Sequence, residues 1–203
     1  MKAIGAAVPG FARDAVDLWS GVVTYDHAFV DPDAIRAAIL TEPMQSVPAG
    51  DQVFHGIRML PADVLLALRA ALAVVAPTAT IRLPFARSSP AGQIEPNDVH
   101  SDHEMGDLTA IVYLNPDPAP GDGTVFWRRK ATGQARGVWD ADCQIDSHDR
   151  DAWDRWRMVD AKYNRLLLFR SDYYHSRSLV LNYGQGDDAR LIVVAFLSDP
   201  EAA

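Results

Sequence analysis

The chain is predicted to be a mainly β domain in which a few N-terminal helices pack on an antiparallel β core. Three observations carry that prediction. Six short runs after residue 78 are apolar, β-branched or aromatic, several of them bounded by Gly, Pro, Asp or Asn, a punctuation typical of sandwich or barrel strands. Two earlier stretches carry helix signals. The 203 residues, 48% hydrophobic and 23% charged, are enough to bury a core within one domain.

The elements follow in order. GVVTYDHAFV (21–30) alternates loosely and is rich in β-branched and aromatic residues, so it reads as a strand. DPDAIRAAIL starts a helix, with Asp31 as N-cap and Pro32 at the first helical position, and Pro43 should end it. A second helix follows Pro61, with Leu65, Leu68, Leu72 and Val75 recurring along one face. From residue 78 the period becomes two, in TATIRLPFARSS, LTAIVYLN, GTVFWRR, NRLLLFR, RSLVLNY and RLIVVAFL. Residues 140–162 are polar and helix-compatible and read as an insertion between strands. Within them DSHDRDAWDRWR reads as a solvated helix face with opposite charges at helical spacing. The expected organisation is one domain, 1–203, with a strand-and-helix support over 1–77 and the β core over 78–203.

The net charge of −8 excludes non-specific nucleic-acid binding, which needs Lys and Arg against phosphates. It leaves room for a small anion held by one or two arginines. The single cysteine, Cys143, excludes an intrachain disulfide and a multi-cysteine zinc site and fits a reducing compartment. Residues 2–12, KAIGAAVPGFA, are too short and too interrupted by Pro9 for a secretory signal. No run has the length of a membrane span. The expected location is the cytoplasm.

The segment NDVHSDHEMGDLTAIVYLN (97–115) concentrates chemistry. In an extended backbone residues two apart share a face, so His100 and Asp102 offer an imidazole nitrogen and a carboxylate oxygen to one point. A third ligand must come from elsewhere. His175, between two strand-like runs, is the best placed; His27, His55 and His148 are the others. Two histidines and one carboxylate leave coordination positions open, as in non-haem Fe(II) oxygenases, although the same set binds Zn or Mn. The competing readings are a solvated turn for His100 and Asp102 and a strand-edge histidine for His175. His103 and Glu104 could compete as ligands in the same segment, but are read as groups that orient the ligands or meet the substrate, or that do neither.

In order, HSD (100–102), TAIVYLN (109–115), GDGTVFW (121–127), NRLLLF (164–169), YYH (173–175) and ARLIVVAFL (189–197) resemble the catalytic half of Fe(II)/2-oxoglutarate-dependent oxygenases, in their prolyl-hydroxylase-like branch. The resemblance covers residues 78–198 and implies a double-stranded β-helix, a jelly roll. Carried over by position, it makes His100, Asp102 and His175 the iron ligands. It makes Tyr113 and Arg190 the partners of the distal carboxylate of 2-oxoglutarate, a task that suits the planar fork of arginine. The resemblance also implies O2 as oxidant and hydroxylation as outcome, since Asp102 stands where halogenating relatives lack a carboxylate. A nucleic-acid demethylase is disfavoured by the acidic charge and by Phe196, where such relatives carry a second arginine.

Two departures stand out. Fifteen positions separate His175 from Arg190, more than the family's usual interval, which leaves Arg177 as a fallback anchor. Asp122 stands where the family has glycine and is expected to be harmless in an exposed turn. Along LTAIVYLN, Tyr113 shares a face with Thr109 and Ile111, while Leu108, Ala110, Val112 and Leu114 form an apolar face suited to helices. Trp127, Trp139, Trp153, Trp156, Tyr173 and Tyr174 are read as packing anchors before substrate contacts, and His27 and His55 as structural. A small-molecule substrate is expected ahead of a protein side chain. The alternative class is a metal- or ligand-binding β-helix without turnover. Oligomeric state is not legible.

Overall fold

The computed structural model describes residues 21–178 and 183–201. Residues 2–12 and most of the strand expected over 177–183 lie outside them. Among these residues ten strands form two antiparallel sheets facing each other. They are β1 (Val22–Asp26), β2 (Gln45–Ala49), β3 (Gln52–Arg58), β4 (Thr80–Ser89), β5 (Leu108–Tyr113), β6 (Gly123–Arg129), β7 (Trp153–Asp160), β8 (Arg165–Arg170), β9 (His175–Arg177) and β10 (Arg190–Ser198). The larger sheet has the order β1-β8-β5-β10-β4-β3-β2 and the smaller β7-β6-β9. The result is the predicted double-stranded β-helix. No helix among the described residues is long and apolar enough to cross a membrane.

Helices α1 (Pro32–Thr41) and α2 (Ala62–Val75) cover one face of the larger sheet. Asp31 caps α1 by accepting from the Ala34 amide at 3.0 Å. At the other end of α1 the buried Arg58 donates to the carbonyls of Leu40 and Glu42, satisfying acceptors that a helix end leaves open. The buried stripe of α2 is Val64, Leu68, Ala71 and Leu72. Leu65 and Val75, expected on that stripe, lie half-buried at its margin.

The two faces of β5 separate as its alternation predicts. Leu108, Ala110, Val112 and Leu114 join the helices in one core, whereas Ile111 and Tyr113 join Phe126, Leu167, Phe169, Ile192, Val194 and Phe196 between the sheets. A third cluster, with Val99, Val125, Trp127, Cys143, Trp153 and Tyr174, lies behind the smaller sheet.

Two features depart from the sequence reading. The β2–β3 hairpin was not expected, because every residue of β2 is exposed and Pro48 interrupts it; an edge strand tolerates both. Gly56 in β3 has φ 73°, and a Cβ there would lie 1.9 Å from the Ser88 carbonyl oxygen, so this crossing onto β4 admits only glycine. Residues 140–162 hold a short helix, α3 (Ala141–Asp146), and then β7, which pairs along the whole of β6. The charge run is therefore not a helix face. Its alternating exposed charges suit a solvated strand as well as a helix, and the ladder to β6 decides between them.

The opposed residues Asp26 and Arg165 tie β1 to β8. Arg165 Nε lies 2.7 Å from Asp26 Oδ1 and Lys162 Nζ 2.6 Å from Oδ2. The bond to Arg165 outweighs the upward push of burial and, with help from Lys162, holds Asp26 down to about 2. Its contribution is thus complete above the unfolded carboxylate value of about 3.9 and fades as pH falls through the folded one. Asp26→Asn is expected to cost under about 1 kcal/mol near neutrality, because the pair is solvent-screened. The gap in thermal midpoint should close as pH approaches 2; a gap that persists there would exclude the ion pair as its source.

Candidate metal centre

Residues 100–102 precede β5 but are pinned as if they were a strand. The His100 amide donates to the His175 carbonyl at 2.9 Å, and the His175 amide donates back at 2.8 Å. The Asp102 amide donates to the Ser171 carbonyl at 2.8 Å. The i, i+2 pair therefore meets His175 across a closed backbone bridge. His100 Nε2 lies 3.6 Å from Asp102 Oδ1, and His175 Nε2 lies 3.3 Å from Asp102 Oδ2. One ligand atom from each of the three residues falls within 4.8 Å of the others. An ion about 2.1 Å from each donor sets neighbouring donors about 3–3.5 Å apart, so small closing movements complete such a site.

The hydrogen bonding leaves the correct nitrogens for a metal. Nδ1 of His100 lies 3.0 Å from the Asp98 carbonyl and Nδ1 of His175 3.0 Å from the Tyr173 carbonyl. A carbonyl only accepts, so each Nδ1 carries the proton and each Nε2 keeps its lone pair for a ligand. Thr109 donates to Asp102 Oδ2 at 3.1 Å and contacts the Ser171 hydroxyl at 2.9 Å. Burial, then repulsion from His175, lowers the pKa of His100. Burial pushes Asp102 up, but the charge of His175 and its hydrogen bond more than reverse this and leave it lowered. For His175 burial pulls downward, and the Asp102 carboxylate overrides it to give a raised value. The lowered value favours the Asp102 carboxylate anion, the charge that a divalent metal calls for.

Thr109→Val removes the hydroxyl that orients Asp102 while keeping the side chain's shape. It is expected to weaken Fe(II) binding by about 10–100-fold, the usual cost of losing a group that orients a ligand, measured by anaerobic titration. An unchanged affinity would show that the Ser171 bridge alone sets the carboxylate.

Three supporting residues escaped the sequence reading. Asp98, whose carbonyl holds His100, is gripped by Arg150 through Nε at 2.6 Å and Nη2 at 2.9 Å. Arg150 also donates to the Arg177 carbonyl at 3.0 Å, linking the segment of His100 to that of His175. Ser147 accepts from the Asp98 amide and donates to the Val99 carbonyl, both at 3.0 Å. These contacts span between 27 and 52 positions and leave no local pattern. The other histidines lie elsewhere: His55 contacts Ser46, His148 the Pro96 carbonyl, and His103 pairs loosely with Glu104 at 3.9 Å.

Beyond the triad the inner faces carry arginines. Tyr113 on β5 is buried, which pushes its hydroxyl up to about 12, and it lies 2.7 Å from Thr124 Oγ1. Arg190 begins β10, only 5% exposed, with its guanidinium 5.8 Å from the centre of the Tyr113 ring. Arg177 follows His175 by two positions on β9, and Arg87 on β4 is paired with Glu95. Asp122 corrects an expectation. It is only 2% exposed and pairs with Arg190, Nε to Oδ2 3.1 Å, because the turn before β6 points inward. Of the aromatic residues, Trp127, Trp153 and Tyr174 pack around Cys143. A cavity of about 450 Å³ opens beside Trp156, Asp172 and Tyr173.

No known family profile and no curated protein sequence matches the chain. Solved structures do. The non-heme alpha ketoglutarate dependent carbocyclase SnoK from nogalamycin biosynthesis is similar over 93% of this chain and 84% of its own, with TM-score 0.59 and 17% identity. HygX from Streptomyces hygroscopicus, with nickel and 2-oxoglutarate bound, covers 94% and 88% at TM-score 0.56 and 15% identity. The epimerase SnoN, alpha ketoglutarate dependent and also from nogalamycin biosynthesis, covers 88% and 76% at TM-score 0.55 and 15% identity. At these identities the likeness is one of fold.

Proposed function

We propose that this chain is an Fe(II)- and 2-oxoglutarate-dependent oxygenase that hydroxylates a C–H bond of a small molecule. The observation that carries the reading is the convergence of His100, Asp102 and His175, with both imidazoles fixed in the metal-binding tautomer. The donor set suits Fe(II), and its two nitrogens and one carboxylate would leave coordination positions open for further ligands. When bound, iron and 2-oxoglutarate supply the O2 activation and C–H oxidation.

The protein's part is binding and orientation. His100, Asp102 and His175 hold the metal, and Asp98, Tyr173 and Thr109 orient them. Tyr113 and Arg190 receive the distal carboxylate of 2-oxoglutarate in a buried site where charge pairing is strong. The order of the motifs supports the prolyl-hydroxylase-like branch. The similar folds of SnoK and SnoN, from nogalamycin biosynthesis, and of HygX, also solved with hygromycin B, support a small-molecule substrate, and retained Asp102 supports hydroxylation over halogenation. Substrate approaches by the cavity at Trp156 and Tyr173, beside the strand that carries His175.

Anaerobic addition of 2-oxoglutarate to the Fe(II)-loaded protein is expected to raise a weak visible charge-transfer band, and succinate release then serves to search for the substrate. Iron binding without the band would favour a second reading, a metal-binding β-helix without turnover. The observation on its side is Asp122, a carboxylate already seated on Arg190.

A further inference from the structure

Asp122 is a costly residue to place where it stands. Its amide donates to the Ala119 carbonyl at 2.9 Å and its carbonyl accepts from Ala161 at 2.8 Å. The next residue, Gly123, has no room for a Cβ, which would lie 2.1 Å from the Val159 carbonyl oxygen. The turn is therefore rigid and delivers the carboxylate inward. Both its oxygens approach Nε of Arg190, at 3.3 and 3.1 Å, and the Tyr183 phenol donates to Oδ2 at 2.6 Å.

A guanidinium offers two edges to carboxylates, one at Nε and one at its terminal pair. Asp122 uses only Nε. The terminal nitrogens of Arg190 hold no hydrogen bond among the described residues.

Resting on the oxygenase reading, we propose that Asp122 is a positioning residue for the cosubstrate: it grips Arg190 by Nε, sharing its charge, and so reserves the terminal edge for the distal carboxylate of 2-oxoglutarate. Without a ligand, the pair spares Arg190 the cost of a lone buried charge. With the ligand, two carboxylates share one guanidinium and repel each other. Asp122 thereby sets the affinity below what Arg190 alone would give. The hydrogen bond from Tyr183 draws charge from Asp122 and moderates this effect, joining the anchor to the loop before β10.

The test compares wild type, Asp122→Asn and Tyr183→Phe, each loaded anaerobically with Fe(II) and titrated with 2-oxoglutarate or with pyruvate, which lacks the distal carboxylate. The charge-transfer band and the ligand-induced thermal shift are the readouts. Asp122→Asn is expected to lower the thermal midpoint of the ligand-free protein and to tighten 2-oxoglutarate on the order of tenfold, with pyruvate unchanged. Tyr183→Phe, which keeps the carboxylate but frees it from the phenol, is expected to weaken 2-oxoglutarate. Equal effects on both acids, or none on 2-oxoglutarate, would overturn the proposal and leave Asp122 a purely structural counter-ion. If Asp122→Asn does not fold, an unchanged 2-oxoglutarate affinity in Tyr183→Phe overturns it. A wild type that binds Fe(II) but gives neither band nor shift with 2-oxoglutarate removes the oxygenase reading itself, and this proposal with it.

Discussion

Asp102→Ala is expected to weaken Fe(II) binding by more than about 100-fold, beyond what losing an orienting neighbour costs. Asp102 supplies the only carboxylate among the three converging residues and sits 3.6 and 3.3 Å from the two imidazole nitrogens. The variant leaves two neutral donors and no anion to offset a divalent charge. The fold should survive, because the backbone bridge between His100 and His175 does not involve the side chain. The change also removes the carboxylate that raises the pKa of His175 against its burial. The comparison is an anaerobic Fe(II) titration beside a thermal melt; metal affinity close to wild type in a folded variant would sink the triad assignment.

The second large effect reaches the centre through the core. Phe126 is fully buried and packs edge-on against Phe169 at 5.1 Å and Tyr173 at 5.8 Å between ring centres. Phe169 in turn stands 4.7 Å from the His175 ring. Phe126→Ala is expected to cost about 3–5 kcal/mol, lowering the thermal midpoint by about 8–15 °C at this chain length. It should also weaken metal binding, since His175 loses the aromatic wall that fixes its ring. Phe126→Leu, nearer in volume, should recover most of both losses. A stable Phe126→Ala with weakened metal binding would mean that the cavity collapses by moving His175 alone.

Legibility followed the distance over which each contact acts. The i, i+2 geometry of His100 and Asp102 and the two-faced pattern of β5 are local, and both read directly. The period-two runs revealed β4, β5, β6, β8 and β10 because their apolar residues alternate or run continuously. The edge hairpin β2–β3 has no buried face on β2 to announce it. β7 presents charges whose spacing fits a helix or a strand equally, and only pairing with β6 settles it. Asp122 and Arg190 lie 68 positions apart, and no local pattern links them; the one available signal was that Asp122 replaced an expected glycine beside a motif. The grip of Arg150 on Asp98 was hidden in the same way, inside a charge run that resembled ordinary surface.

On β10 the residues alternate without exception: Ile192, Val194 and Phe196 join the cluster between the sheets, on the side of the metal centre, and Leu191, Val193, Ala195 and Leu197 join the helix-packed core. Adaptation can act on these two sets separately. A change at an inward position alters the shape or polarity of the space beside the triad and leaves the helix interface intact, so the site can vary without eroding the reserve of stability that tolerates such changes. A lineage built on this strand can vary its inner surface on one register and keep the other as its foundation.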